Sequence, residues 1–135
     1  MARPCLIYVD TSYLLAALFQ EPIRPEPSFW RDLPLVSSTL IEDESWVRVH
    51  AYERGETHGK FLERVLQHVV LFPVSEEIRE RLKSPFPTRI RTLDAIHLAT
   101  AESIQSQHRK HLVVVASYDA GIQASAVALG FTLYS

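Results

Sequence analysis

At 135 residues, 47% hydrophobic and 22% charged, the chain is long enough for one α/β domain with its own core and too short for two, so residues 1–135 are read as a single domain. A formal charge of −2 excludes a protein that holds nucleic acid by a broad basic surface, so any phosphate recognition must be local. The composition also excludes a disordered chain; no apolar run reaches the roughly 20 residues of a membrane helix, and no basic stretch followed by an apolar one marks a signal segment.

Residues 5–9 form a short apolar run that reads as a strand. Its Cys5, the lone cysteine, cannot close an internal disulfide and is expected to be a buried strand thiol, which fits a reducing, cytoplasmic setting. Asp10-Thr11-Ser12 then leads into an apolar-rich helix at 13–19. Residues 21–34 carry four prolines and read as an irregular connection packed down by Phe29 and Trp30, before a very short strand at 35–37. Helices are expected at 39–54, ended by Gly55, and at 58–68, followed by a strand at 69–72. Ser75 opens a short helix with Glu76 and Glu77 in its first turn and Arg81 and Lys83 in its last, and Pro85 and Pro87 stop it.

The helix predicted at 92–105, capped by Thr92, is so apolar that it must be largely buried. The β-branched run 112–116 reads as a central strand, 119–129 as a last helix closed by Gly130, and 131–134 as a last strand. Strands alternating with helices, several apolar on both faces, predict a three-layer α/β/α fold around a parallel sheet of four to five strands. In such sheets ligands bind at the carboxyl ends of the strands.

Four carboxylates are placed at that edge. Asp10 ends the first strand, where it is either a site residue or the cap of the next helix. Glu44 shares a predicted inward helix face with Leu40, Val47 and Ala51, and a carboxylate there needs a partner. Its neighbour Glu42 is explained by a capping box with Thr39, and Asp43 points to the other side, although a shift of two residues leaves Glu42 as the competing site residue. Asp94 lies in the first turn of a buried helix, where the helix dipole favours an acid but a cleft is also expected. His97, one turn on, reads as a hydrogen-bonded core residue more than a metal ligand. Asp119 follows the strand at 112–116 and is either a fourth site carboxylate or an N-cap. Ser117 either orients a water or a neighbouring carboxylate, or caps the last helix.

Two like charges about 4 Å apart repel by on the order of 4 kcal/mol at an effective dielectric near 20, so converging carboxylates imply a cation. The six histidines lack the close pairing of zinc sites, and hard oxygen donors suit Mg²⁺ or Mn²⁺. Phosphodiester hydrolysis by a metal-activated water, with no side-chain nucleophile, is the natural chemistry.

Across nearly its whole length the chain resembles the PIN-domain family, and within it the VapC-like toxins of toxin–antitoxin modules. The resemblance is carried by Tyr-Val-Asp10-Thr-Ser, by Ser37-Ser-Thr-Leu-Ile-Glu-Asp-Glu44, by Arg91-Thr-Leu-Asp94-Ala-Ile-His-Leu-Ala-Thr-Ala101 and by Ser117-Tyr-Asp119. It implies a Mg²⁺-dependent endoribonuclease in which Asp10 and Asp94 are the principal metal-linked carboxylates, Glu44 the third, and Asp119 a direct or water-mediated contributor. It also implies a homodimer and neutralisation by a small antitoxin protein. Ser117 stands where these toxins often have Thr, and the proline-rich 21–34 segment is a departure that bears on substrate access or antitoxin docking.

Arg89 and Arg91 precede the Asp94 helix and, with the hydroxyls of Thr11, Ser12 and Ser117, are the candidate substrate contacts. Leu14, Leu15, Leu18 and Phe19 exceed one narrow helix face, so core packing accounts for most of them and a partner for the remainder. A haloacid-dehalogenase-like phosphatase requires an Asp where Ser12 stands, and a receiver domain requires an acidic pair before its first helix and a late Lys that this chain lacks. The alternative is a catalytically silent PIN-like module that binds RNA or protein.

Overall fold

Ile7 and Val9 pack toward one side of the sheet and Tyr8 toward the other, the alternation of a strand buried on both faces. The structure, a computed structural model, describes residues 3–135. Along the chain it runs β1 (Cys5–Val9), α1 (Thr11–Leu18), α2 (Pro27–Asp32), β2 (Leu35–Ser38), α3 (Leu40–Ala51) and α4 (Gly55–Leu66). It continues through β3 (Val69–Phe72), α5 (Glu76–Arg81), α6 (Thr92–Gln107), β4 (Leu112–Ala116), α7 (Ala120–Ala128) and β5 (Thr132–Leu133).

The five strands form one parallel sheet in the order β3-β2-β1-β4-β5. One helical layer contributes Leu14, Leu18, Val49 and Leu62 to the core against Ile7 and Val9. The opposite layer packs Ala101 and Ile104 against Tyr8 and Val113, and Leu98, Ile122 and Ala126 against Val115. Each such side chain, fully buried, contributes roughly 1.5–3 kcal/mol when it is as large as Val or Leu, so the two cores hold the sheet from both sides. The chain leaves β1 for β2 on one side and returns to β4 on the other. That makes the carboxyl ends of β1 and β4 the topological switch point, where a crevice is expected.

Several local expectations need correction. Part of the proline-rich segment is helical: Pro27 takes the first position of α2, where its missing N–H costs nothing, and α2 buries Phe29 and Trp30. Gly55 does not simply end α3 but begins α4, at a point where a Cβ would lie 3.1 Å from the His50 ring. Thr39 makes no side-chain capping bond, so there is no capping box with Glu42; the Ser38 hydroxyl accepts from the Leu40 N–H instead. Arg91, not Thr92, occupies the cap position of α6. Cys5 is exposed, because as first residue of β1 it lies at the rim of the sheet. Gly130 closes α7 with φ of 94°, a left-handed conformation natural to glycine.

The inward face of α3 also differs from expectation. Ile41, Ser45 and Val49 form the buried stripe, whereas Val47 is 70% exposed and Ala51 is exposed. Glu44 borders that stripe and does not lie at its centre. Among the described residues, no helix is long and apolar enough to cross a membrane.

Candidate active site

Asp10 follows directly on β1, its N–H bonded to the Ala116 carbonyl of β4 at 3.1 Å, which pins it at the switch point. It caps α1 by accepting from the Tyr13 N–H, so its capping and site roles coexist. Ser12 donates to Asp10 Oδ1 at 2.6 Å and Ser117 donates to Oδ2 at 2.8 Å. The residue is only 2% exposed, and this burial raises its pKa against the lowering effect of the two hydroxyls and of His97.

Glu44 is held from two directions. Thr11, on α1, donates to its Oε1 at 2.6 Å, and His97 Nε2, on α6, lies 2.8 Å from the same oxygen. The fully buried His97 ring is completed by the Tyr8 hydroxyl, 2.7 Å from Nδ1. Burial pushes the Tyr8 phenol far upward, keeping its proton in place. The tautomer that satisfies every partner has Tyr8 donating to Nδ1 and Nε2–H donating to Glu44, with Thr11 Oγ1 at 3.2 Å from the same nitrogen. Burial raises the Glu44 pKa, but the bonds from His97 and Thr11, with the electrostatic effects of His97 and Arg48, outweigh it and lower the net value. Glu42 and Asp43 are exposed on the outer side of α3, so the geometry favours Glu44 over Glu42.

Asp94, in the first turn of α6, has a raised pKa, first from partial burial and then from the Asp119 charge; Glu44 adds to this, while His97 and Arg91 oppose it. Asp119 caps α7 by accepting from the Ile122 N–H at 2.9 Å, and its own N–H donates to Ser117 Oγ at 2.9 Å. Asp94 therefore lies within electrostatic reach of Asp119 and Glu44, and Asp10 is connected to the Asp119 backbone through Ser117. Among the described residues, however, no three His, Cys, Asp or Glu side chains gather closely enough to enclose a single ion.

The hydroxyls expected to face substrate serve the carboxylates. Thr11 and Ser117 are buried, committed to Glu44 and Asp10 respectively, and Ser12 joins Asp10 to the Tyr118 N–H at 2.8 Å. Arg89 and Arg91 are exposed before α6, and Arg91 is the one whose charge reaches Asp94. Two contributors escaped sequence reasoning. Arg48 follows Glu44 by one helical turn, a spacing that could have marked it. Tyr8 precedes Asp10 by two residues in β1, but only the tertiary structure reveals that its hydroxyl meets His97.

The donor set is chemically suited to a hard divalent cation: oxygen-rich, partly buried, and with the carboxyl groups of Asp10 and Asp94 held above their ordinary pKa. Mg²⁺ is commonly held by one or two carboxylates plus waters, so such an ion does not require three close protein ligands.

Residues 7–128 match the PIN domain. Ribonuclease VapC46 of Mycobacterium tuberculosis (strain ATCC 25618 / H37Rv) is 34% identical over 102 residues, covering 73% of this chain and 75% of that protein. Ribonuclease VapC47 of Mycobacterium tuberculosis (strain CDC 1551 / Oshkosh) is 29% identical over 138 aligned residues, covering 96% of each. No solved structure gives a significant match.

Proposed function

This chain belongs to the PIN-domain family, and from that premise we propose that it is a divalent-cation-dependent endoribonuclease, the toxin of a toxin–antitoxin pair acting in the cytoplasm. The observation that carries the reading is the buried Asp10 at the carboxyl end of β1, both of its oxygens held by Ser12 and Ser117 and linked through Ser117 to the Asp119 backbone, with the charges of Asp119 and Glu44 also raising the pKa of Asp94. The relatives named as ribonucleases support the same reaction.

In this reading Asp10 and Asp94 hold Mg²⁺ or Mn²⁺, with Glu44 and Asp119 beside them, directly or through water. When bound, the cation supplies acidity to water and offsets charge building on the scissile phosphate. Ser12 and Ser117 fix both Asp10 oxygens, so the carboxylate cannot rotate away. Thr11 and His97 hold Glu44 in its charged form at neutral pH. Arg91 and Arg89, exposed beside Asp94, bind flanking phosphates as charge-assisted donors. A homodimer and a small antitoxin protein are the expected partners.

A second reading, a silent RNA- or protein-binding module, is favoured by the absence of a tight three-ligand cluster among the described residues. Incubation of the purified protein with structured RNA and Mg²⁺, with and without chelator, beside Asp10→Asn and Asp94→Asn separates the two. Cleavage confined to the wild type and abolished by chelator supports the nuclease, whereas equal cleavage by the variants sinks the site. Binding without cleavage by the wild type establishes the silent module. A small protein that co-purifies and blocks cleavage supports the antitoxin assignment.

A further inference from the structure

Two grooves meet on the face formed by α1, α2 and α4. The first, about 1150 Å³, is lined by Ser12, whose hydroxyl donates to Asp10, and runs outward past Tyr118, Phe19, Tyr52 and Arg48. The second, about 760 Å³, lies under the proline-rich segment and is lined by Arg24, Arg31, Arg64 and Trp30. Gln20 and Pro22 line both, so the grooves are adjacent.

Charge along this path is opposite to that of the whole chain. Arg48 and Arg54 line the first groove and Arg24, Arg31 and Arg64 the second, against Glu21 and Glu26. Among the described residues, none of these arginines is ion-paired at salt-bridge distance, although Arg24 donates to the Glu21 carbonyl at 2.7 Å. Free guanidinium groups along a groove are donors for phosphate oxygens. Tyr52 is 57% exposed and packs edge-on against Phe19 at 5.4 Å, leaving an aromatic surface beside the arginines. Aromatic platforms interleaved with cations suit an unpaired polynucleotide, whose bases stack while its backbone tracks the charge.

Resting on the ribonuclease reading, we infer that the proline-rich segment builds a distal substrate track, in which Arg31 and Arg64 bind backbone phosphates of an unpaired RNA strand leaving the acidic centre past Arg48. The segment thereby extends substrate contact beyond the scissile bond. Arg31 and Arg64 lie on α2 and α4 and are both exposed, so they can be replaced without opening the core.

The test measures fluorescence anisotropy of a labelled unstructured RNA of about 15 nucleotides, within the range of single-strand site sizes, over a salt series in chelator. The wild type is compared with Arg31→Glu/Arg64→Glu and Arg31→Lys/Arg64→Lys, with thermal melting to confirm folding. The Glu pair is expected to weaken binding by about tenfold and to lower the slope of log affinity against log salt by about 1.4, two phosphates at about 0.7 each. The Lys pair is expected to keep the slope. Unchanged affinity and slope in the Glu pair overturn the track, as does an equal loss in the Lys pair. Retained RNA binding by the Glu pair with loss of a co-purifying acidic protein also overturns it, assigning the groove to that partner. Cleavage of the same RNA by the wild type with added Mg²⁺ is scored separately: cleavage with unchanged Glu-pair binding overturns only the track, whereas wild-type protein that neither binds nor cuts RNA overturns the ribonuclease reading too.

Discussion

His97 Nε2 lies 2.8 Å from Glu44 Oε1, so a side chain of α6, on one face of the sheet, holds a carboxylate of α3, on the other. This bond crosses the carboxyl edge of the sheet and couples the two helical layers at the site. His97→Ala leaves Tyr8 and Glu44 short of a partner and opens a cavity, at a cost of roughly 2–4 kcal/mol. A double-mutant cycle with Glu44→Gln in urea unfolding should yield a coupling of about 1–2 kcal/mol. Strictly additive effects would mean that the contact carries no energy of its own.

Glu44 and its partners also set an acid limit. Its pKa is lowered in the folded protein, so its contribution is fully present above the ordinary value of 4.5 and is lost as pH falls through the lower folded value. Glu44→Gln should therefore flatten the fall in stability on acidification below pH 4.5. Thermal melts of both proteins across that range check it, and parallel curves contradict it.

Asp94 has the opposite sign. Its folded pKa is raised, so its charged form destabilises the fold; stability is greatest below the ordinary value of 3.8 and declines as pH rises through the folded value. Asp94→Asn should be more stable than wild type at neutral pH, by on the order of 0.5 kcal/mol after allowance for solvent screening, or about 2 °C in Tm. The gain should vanish on acidification. A lower Tm for the variant at pH 7 would refute the cost that burial and the neighbouring acids place on the Asp94 charge.

Divalent cation should offset that cost. At a hundredfold excess over Kd, binding to the folded state alone adds about 2.7 kcal/mol, seen as a rise in Tm with Mg²⁺ or Mn²⁺ that chelator removes. Asp10→Asn and Asp94→Asn should lose most of this rise. An identical response in all three proteins places the ion elsewhere.

Ser117 donates to Asp10 and accepts from the Asp119 N–H, so one buried hydroxyl ties the Asp10 carboxylate to the backbone of a second predicted site residue. Ser117→Ala should cost about 1–2 kcal/mol in stability and lower kcat more than it alters KM. Ser117→Thr, which keeps the hydroxyl, should restore much of both. Equal activity in the Ala variant would remove Ser117 from the positioning of Asp10.

Local patterning made much of the fold legible. The apolar run at 112–116 and the apolar helix beginning at Thr92 could be stable only as interior elements, and they became β4 and α6. Asp10, Asp94 and Asp119 were readable because each stands just after a strand or in the first turn of a helix, positions that a parallel sheet brings to one edge. Glu44 was chosen for an inward face that the structure shifts, since Val47 is 70% exposed and the buried stripe runs through Ile41, Ser45 and Val49. It nevertheless reaches the site, because a residue bordering the stripe can reach over the strand ends to His97.

Period, capping chemistry and the order of strands and helices are properties of neighbouring residues, and these determined the α/β class, the single sheet and the edge where acids collect. Whether a given hydroxyl meets substrate or a carboxylate depends on partners far apart in sequence. Thr11 on Glu44, Ser117 on Asp10 and Tyr8 on His97 were decided by the packing of two helical layers across the sheet. So was the basic groove beneath residues 21–34, because arginines scattered along a chain of net charge −2 acquire a shared direction only when the elements carrying them are folded together.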